Sequence, residues 1–145
     1  MRKLLVVAVI ALATGLGAQE SRLVEWPYWG GDAANTRYST IPDITPANVS
    51  QLERAWEWNT GEKPNVEFGT RPGAFEATPI MIDNVLYFST PYHRAVALDA
   101  ETGRELWAFD PEAWKGAEDS IGFKHRGLAF WRDRGELRIF LNTDN

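Results

Sequence analysis

Two charged residues stand where apolar strands begin, and both could meet a ligand. Glu76 lies in Phe75-Glu76-Ala77-Thr78-Pro79, directly ahead of the run Ile80-Met81-Ile82. Arg126 lies in His125-Arg126-Gly127-Leu128-Ala129-Phe130-Trp131. A guanidinium can fork onto a carboxylate with two parallel charge-assisted bonds, and a carboxylate accepts from polar ligand edges. Taken alone, Glu76 reads as a solvated strand end, and the plain reading of Arg126 is a surface cation at a strand start. His93 and His125 are the only histidines. Neither has an acidic neighbour at ligand spacing, so they read as turn or hydrogen-bonding residues rather than metal ligands. With no cysteine in the chain, thiolate chemistry and disulfide staples are both excluded. No phosphate-binding glycine loop, dinucleotide fingerprint or nucleophile elbow occurs.

The elements that position these residues read as β-structure. Strands are expected at Ala77–Ile82, Val85–Ser89, Ala95–Leu98 and Glu105–Phe109, preceded by a strand at Arg54–Asn59. Thr45, as N-cap, and Pro46, at the first position, predict one helical turn ahead of that first strand. The stretch Ala95–Asp110 carries the clearest local signal. Val96 and Leu98 share one face by period-2 spacing, and Leu106 and Phe109 are placed to pack across the turn. Asp99 and Thr102 offer oxygens to backbone amides, while Gly103 takes the positive φ that closes the turn. Trp107 presents a large flat surface suited to packing on an adjacent sheet. Such a unit cannot bury both of its faces alone, so it requires stacked neighbours. Gly127–Arg132 and Leu137–Asn142 read as a hairpin about Asp133-Arg134-Gly135, after a long connection at Pro111–His125.

The first residues are a targeting segment. Arg2 and Lys3 form a positive n-region, Leu4–Leu16 an apolar stretch, and Gly17-Ala18 a cleavage point before Gln19. That apolar run is shorter than the roughly 20 residues of a bilayer span. The expectation is a signal peptide at 1–18, a mature chain from Gln19, and no stable transmembrane segment after cleavage. The location that follows is periplasmic or secreted, with membrane association left open. A formal charge of −5 and no basic run exclude nucleic acid as a partner. Seven tryptophans, four tyrosines and seven phenylalanines supply the apolar area for a core without disulfides.

The pattern A-x-D-A-x-T-G-x-x-x-W at Ala97–Trp107 resembles the tryptophan-docking motif of quinoprotein propellers that bind pyrroloquinoline quinone (PQQ). The likeness extends to Trp26–Ser39, similar to the family's N-terminal segment, and to Ile44–Trp58, similar to its first strand. Residues 75–111 resemble one complete blade, and His125–Trp131 the opening of the next. The resemblance implies an all-β chain holding about two to two and a half four-stranded blades of an eight-bladed propeller. Residues 19–145 would then be the N-terminal part of a longer propeller domain, cut off at its C-terminal side.

What the resemblance implies for chemistry is specific. Glu76 matches the family's glutamate beside the PQQ ring system, and Arg126 its arginine on a PQQ carboxylate, with Gly127 letting backbone approach a flat ligand. Ala97, Asp99, Thr102, Gly103 and Trp107 match the structural repeat. The implied protein is a PQQ-dependent oxidoreductase acting on CH–OH groups, of glucose or an alcohol. Electrons would pass to a cytochrome or ubiquinone. Calcium is the implied second cofactor, and its ligands and the catalytic base fall in blades beyond this sequence. Alcohol-oxidising members carry a vicinal cysteine pair shortly before the arginine, where this chain reads Glu118-Asp119-Ser120-Ile121-Gly122. That departure favours the glucose-dehydrogenase-like branch. The alternative from another class is a non-catalytic propeller of PQQ-like repeats serving as a scaffold in the cell envelope. A scaffold lipoprotein of that kind carries a lipobox cysteine, which this chain lacks.

Overall fold

The computed structural model describes residues 25–116 and 123–143. The expected signal peptide at 1–18 and the segment Glu118–Gly122 lie outside the described residues. Six strands are present: β1 (Ile80–Ile82), β2 (Val85–Ser89), β3 (Ala95–Asp99), β4 (Glu105–Phe109), β5 (Ala129–Asp133) and β6 (Glu136–Phe140). The first four form one antiparallel sheet in sequence order, and β5 and β6 form a separate hairpin. Two-residue turns close β1–β2 at Asp83-Asn84 and β5–β6 at Arg134-Gly135, all four residues at positive φ, the geometry that matches strand twist.

Strands β1 to β3 are covered on both faces, as their apolar pattern demands, while β4 is exposed along its length. Ile80, Ile82, Tyr87 and Ala97 face Leu128, Phe130, Leu137 and Ile139 of the β5–β6 hairpin. Phe88, Val96 and Leu98 face Trp56 and Trp58 on the opposite side. Arg132 ties the hairpin to the β1–β2 turn through Asp83 at 2.6 Å.

Residues Arg54–Asn59, expected as a strand, run without sheet pairing. Their alternation is real, since Trp56 and Trp58 are half-buried while Ala55 and Glu57 are exposed. Period-2 spacing reports which face meets a core, not whether the backbone has a hydrogen-bonding partner. Here the side chains make the attachment: Trp56 Nε1 donates to the Ala100 carbonyl at 3.1 Å, and Trp58 Nε1 to Glu105 Oε2 at 3.2 Å. The paired part of the first strand begins at Ile80 rather than Ala77. Pro79 has no N–H to give a ladder, and the Thr78 N–H goes to Arg126 instead. The expected helical turn is a 3₁₀ turn at Val49–Gln51, and Asn48 Oδ1 accepts the Thr45 N–H rather than Thr45 acting as cap.

The β3–β4 turn forms as its residues dictate. Asp99 Oδ1 accepts from the Thr102 N–H at 2.9 Å and the Thr102 hydroxyl at 2.7 Å. These bonds, the hydroxyl's first, hold the Asp99 carboxyl below the usual aspartate range. The Gly103 N–H returns to the Asp99 carbonyl at 2.9 Å, with Gly103 at φ +70°. The indole of Trp56 lies on Gly103, so close that an added Cβ would stand 2.5 Å from its Cδ2. Leu106 and Phe109 do not pack across the turn. A register shift sets Glu105 opposite Leu98, and Leu106 and Phe109 stay 39% and 59% exposed. Trp107 meets Tyr87 of its own sheet, ring centroids 5.9 Å apart, rather than a neighbouring sheet. On the described residues it is Trp56 that docks on a turn.

Candidate functional site

Glu76 and Arg126 are brought together. Each precedes the first strand of its sheet, and the two strand starts are joined by a parallel bridge between Thr78 and Gly127. The Thr78 N–H donates to the Arg126 carbonyl at 3.0 Å. Arg126 Nη2 then stands 3.6 Å from Glu76 Oε2, with the arginine side chain 89% exposed. An exposed pair of this length contributes about 0–1 kcal/mol, so the fold does not depend on it. The guanidinium keeps donors free of Glu76 to offer a carboxylate, and among the described residues Glu76 is its one ion-pair partner. That donor set fits a planar polycarboxylate. Gly127 serves a different end from the one expected. Its φ is +144° and a Cβ would lie 2.9 Å from the Thr78 carbonyl oxygen, so the close approach is to the protein's own backbone.

Arg126 forms part of the wall of an open cleft of about 540 Å³, together with Trp29, Thr78, Leu128, Phe140 and Asn142. Glu76 is not part of that wall. The cleft is mostly apolar, with the arginine as its one charged group among these residues.

The two histidines, isolated from each other in sequence, meet in space with ring centroids 5.3 Å apart. His93 is buried on a residue with φ +62°. His125 is held by the Ser89 hydroxyl at 2.6 Å, the Gly127 N–H at 3.2 Å and the Asn142 carbonyl at 2.9 Å. Ser89 and Asn142 escaped sequence reasoning because nothing local links them to residue 125. Among the described residues no group of three or more His, Asp or Glu side chains could hold a metal ion.

A second polar cluster was likewise invisible in sequence. The Glu62 carboxylate, its side chain only 5% exposed, accepts from the Thr90 hydroxyl and from the Tyr92 N–H at 3.1 Å. Arg94 Nη1 stands 3.9 Å away. Burial raises the Glu62 carboxyl above its ordinary value of 4.5, outweighing the opposing pull of Thr90, Tyr92 and Arg94. The native state therefore binds this proton more tightly than the unfolded chain. The resulting stability is fully present below the ordinary glutamate pKa and is lost as pH rises through the folded value. Denaturation midpoints measured across that range should fall for the wild type relative to Glu62→Gln. A constant difference between the two would show that Glu62 titrates normally in the fold.

The family model that matches describes a PQQ-type "Glucose/ethanol/alcohol dehydrogenase, beta-propeller domain", and it covers residues 26–145. The quinohemoprotein alcohol dehydrogenase of Comamonas testosteroni is 34% identical over 123 residues, covering 81% of this chain and 16% of the relative. Its crystal structure superposes with a TM-score of 0.59 at 31% identity, covering 79% of this chain and 16% of the other. The quinoprotein glucose dehydrogenase of Escherichia coli (strain K12) is 33% identical over 117 residues, covering 77% of this chain and 14% of the relative. The chain thus spans about a sixth to a seventh of the length of these relatives.

Proposed function

Because the chain belongs to the β-propeller family of PQQ-dependent glucose, ethanol and alcohol dehydrogenases, we propose that it is the N-terminal part of an enzyme oxidising the CH–OH group of an aldose or an alcohol. The observation that carries this reading beyond fold is the meeting of Glu76 and Arg126 at adjoining strand starts. In it, Arg126 would hold a carboxylate of PQQ and Glu76 would accept from its ring system. Thr78 and Gly127 lock the two strand starts together, which keeps both side chains at one edge. Bound there, PQQ would supply the two-electron acceptor for substrate oxidation, with calcium as a Lewis acid held by residues beyond this segment. A cytochrome or ubiquinone would be the electron acceptor. The scaffold alternative has no use for such a pair, and no observation favours it.

The test is made on the full-length protein. Apo-protein given PQQ and calcium should reduce an artificial electron-accepting dye with an aldose or a primary alcohol as donor. No PQQ-dependent reduction with either class of donor would sink the reading.

The same proposal places the mature chain outside the cytoplasm, starting near Gln19 after the charged and apolar leader. N-terminal sequencing of periplasmic protein should begin at or near that residue. Recovery of the intact Met1 form from the cytoplasm is the opposing result. Among the described residues no helix is long and apolar enough to cross a membrane.

A further inference from the structure

Arg126 has an exposed side chain with a single loose ion pair, so its aim depends on the backbone from which it springs. That backbone is held from two sides. Thr78 bonds the Arg126 carbonyl, and the next amide, Gly127 N–H, donates to His125 Nδ1 at 3.2 Å. A backbone N–H can only donate, so Nδ1 is an acceptor and carries no proton. The Asn142 carbonyl can only accept, so Nε2 at 2.9 Å carries the proton. The Ser89 hydroxyl, wholly buried at the end of β2, therefore donates to Nδ1 at 2.6 Å. One imidazole thus joins the end of β2, the approach to β5 and the chain that follows β6.

We propose that His125, in the tautomer accepting at Nδ1 and donating from Nε2, is a positioning residue that sets where the Arg126 guanidinium enters the cleft. This rests on the reading of Arg126 as the residue that binds a PQQ carboxylate. The Nδ1 side does the positioning, because it holds the amide directly after Arg126 against a buried, fixed hydroxyl. The Nε2 side anchors the ring to the chain that follows β6 and bears on stability alone. A displacement of the order of 1 Å at a bidentate contact is enough to lose much of it.

Asparagine and glutamine separate the two sides. Asn places a side-chain oxygen near the Nδ1 position, so His125→Asn keeps an acceptor for Gly127 and Ser89 and loses the reach to Asn142. His125→Gln reaches toward the Asn142 carbonyl and loses the Nδ1 acceptor. In PQQ titrations of the full-length apo-protein, His125→Gln should weaken binding about tenfold, equivalent to about 1.4 kcal/mol. His125→Asn should stay within about threefold, although both variants lower the melting temperature. Equal PQQ affinity for the two variants, whether changed or not, would reduce His125 to a structural staple and overturn the proposal. If His125→Gln does not fold, Ser89→Ala removes one of the two Nδ1 bonds and leaves the ring. It should weaken PQQ binding about threefold, and unchanged affinity there counts against the proposal. Arg126→Ala in the same titration distinguishes the two levels. Unchanged affinity in that variant removes the underlying reading, whereas lost affinity there with equal Asn and Gln variants removes only the role of His125.

Discussion

Arg126→Ala in the full-length protein is expected to lower PQQ affinity about ten- to a hundredfold, with little change in the stability of the fold. The affinity loss follows from chemistry: a ligand carboxylate that loses its charge-assisted partner gives up roughly 1.5–3 kcal/mol. The silence in stability follows from geometry, because the side chain is 89% exposed and its pair with Glu76 is 3.6 Å long. Arg126→Lys should recover only part of the affinity, since an ammonium is a point charge without the planar fork. Glu76→Gln should be milder than either, because the amide keeps one acceptor and the same shape. Titration of apo-protein with PQQ, alongside thermal denaturation, reads both quantities. If Arg126→Ala binds PQQ as the wild type does, the likeness to the dehydrogenases reduces to one of fold.

The second large effect concerns the contact between Trp56 and the β3–β4 turn. Trp56→Ala should destabilise the protein by about 3 kcal/mol, the lower end of the cost for deleting a buried tryptophan, because this indole is half-buried. Two terms are lost together: packing against Phe88, Val96 and Leu98, and the hydrogen bond from Nε1 to the Ala100 carbonyl. Trp56→Phe should recover the packing and leave Ala100 without that donor, costing about 1 kcal/mol. Gly103→Ala attacks the same contact from the other side. It asks an L-residue to sit at φ +70° and puts a methyl group 2.5 Å from the ring, so a loss of about 1–3 kcal/mol is expected. Denaturant midpoints of the full-length protein measure all three. A Gly103→Ala variant as stable as wild type would mean that the ring does not rest on the turn.

Features that a few adjacent residues can enforce were legible from residue types and their spacing. Asp99, Thr102 and Gly103 complete their turn with one another, so its hydrogen bonds were legible from three residue types. Val85–Ser89, Ala95–Asp99 and Glu105–Phe109 show themselves as short, largely apolar runs between turns, and a run apolar on both faces calls for cover on both. Likewise, the turn signal at Asp133-Arg134-Gly135 marked the β5–β6 hairpin. Contacts between segments far apart in the chain came only from packing. The residue that docks on Gly103 is Trp56, bonded to a carbonyl 44 residues away, while Trp107 turns to its own sheet. Alternation along Arg54–Asn59 marked a buried face correctly and misled about pairing, because backbone partners come from elsewhere in the chain. Glu76 and Arg126 were each placed at a strand start by motif, but their meeting depends on the bridge between Thr78 and Gly127. Ser89 with His125, 36 residues apart, and Glu62 with Thr90, 28 apart, carry no local signal. Hydrogen bonds closed within a turn are set by residue type and spacing, whereas burial of a carboxylate or an imidazole is set only when distant segments pack and exclude water.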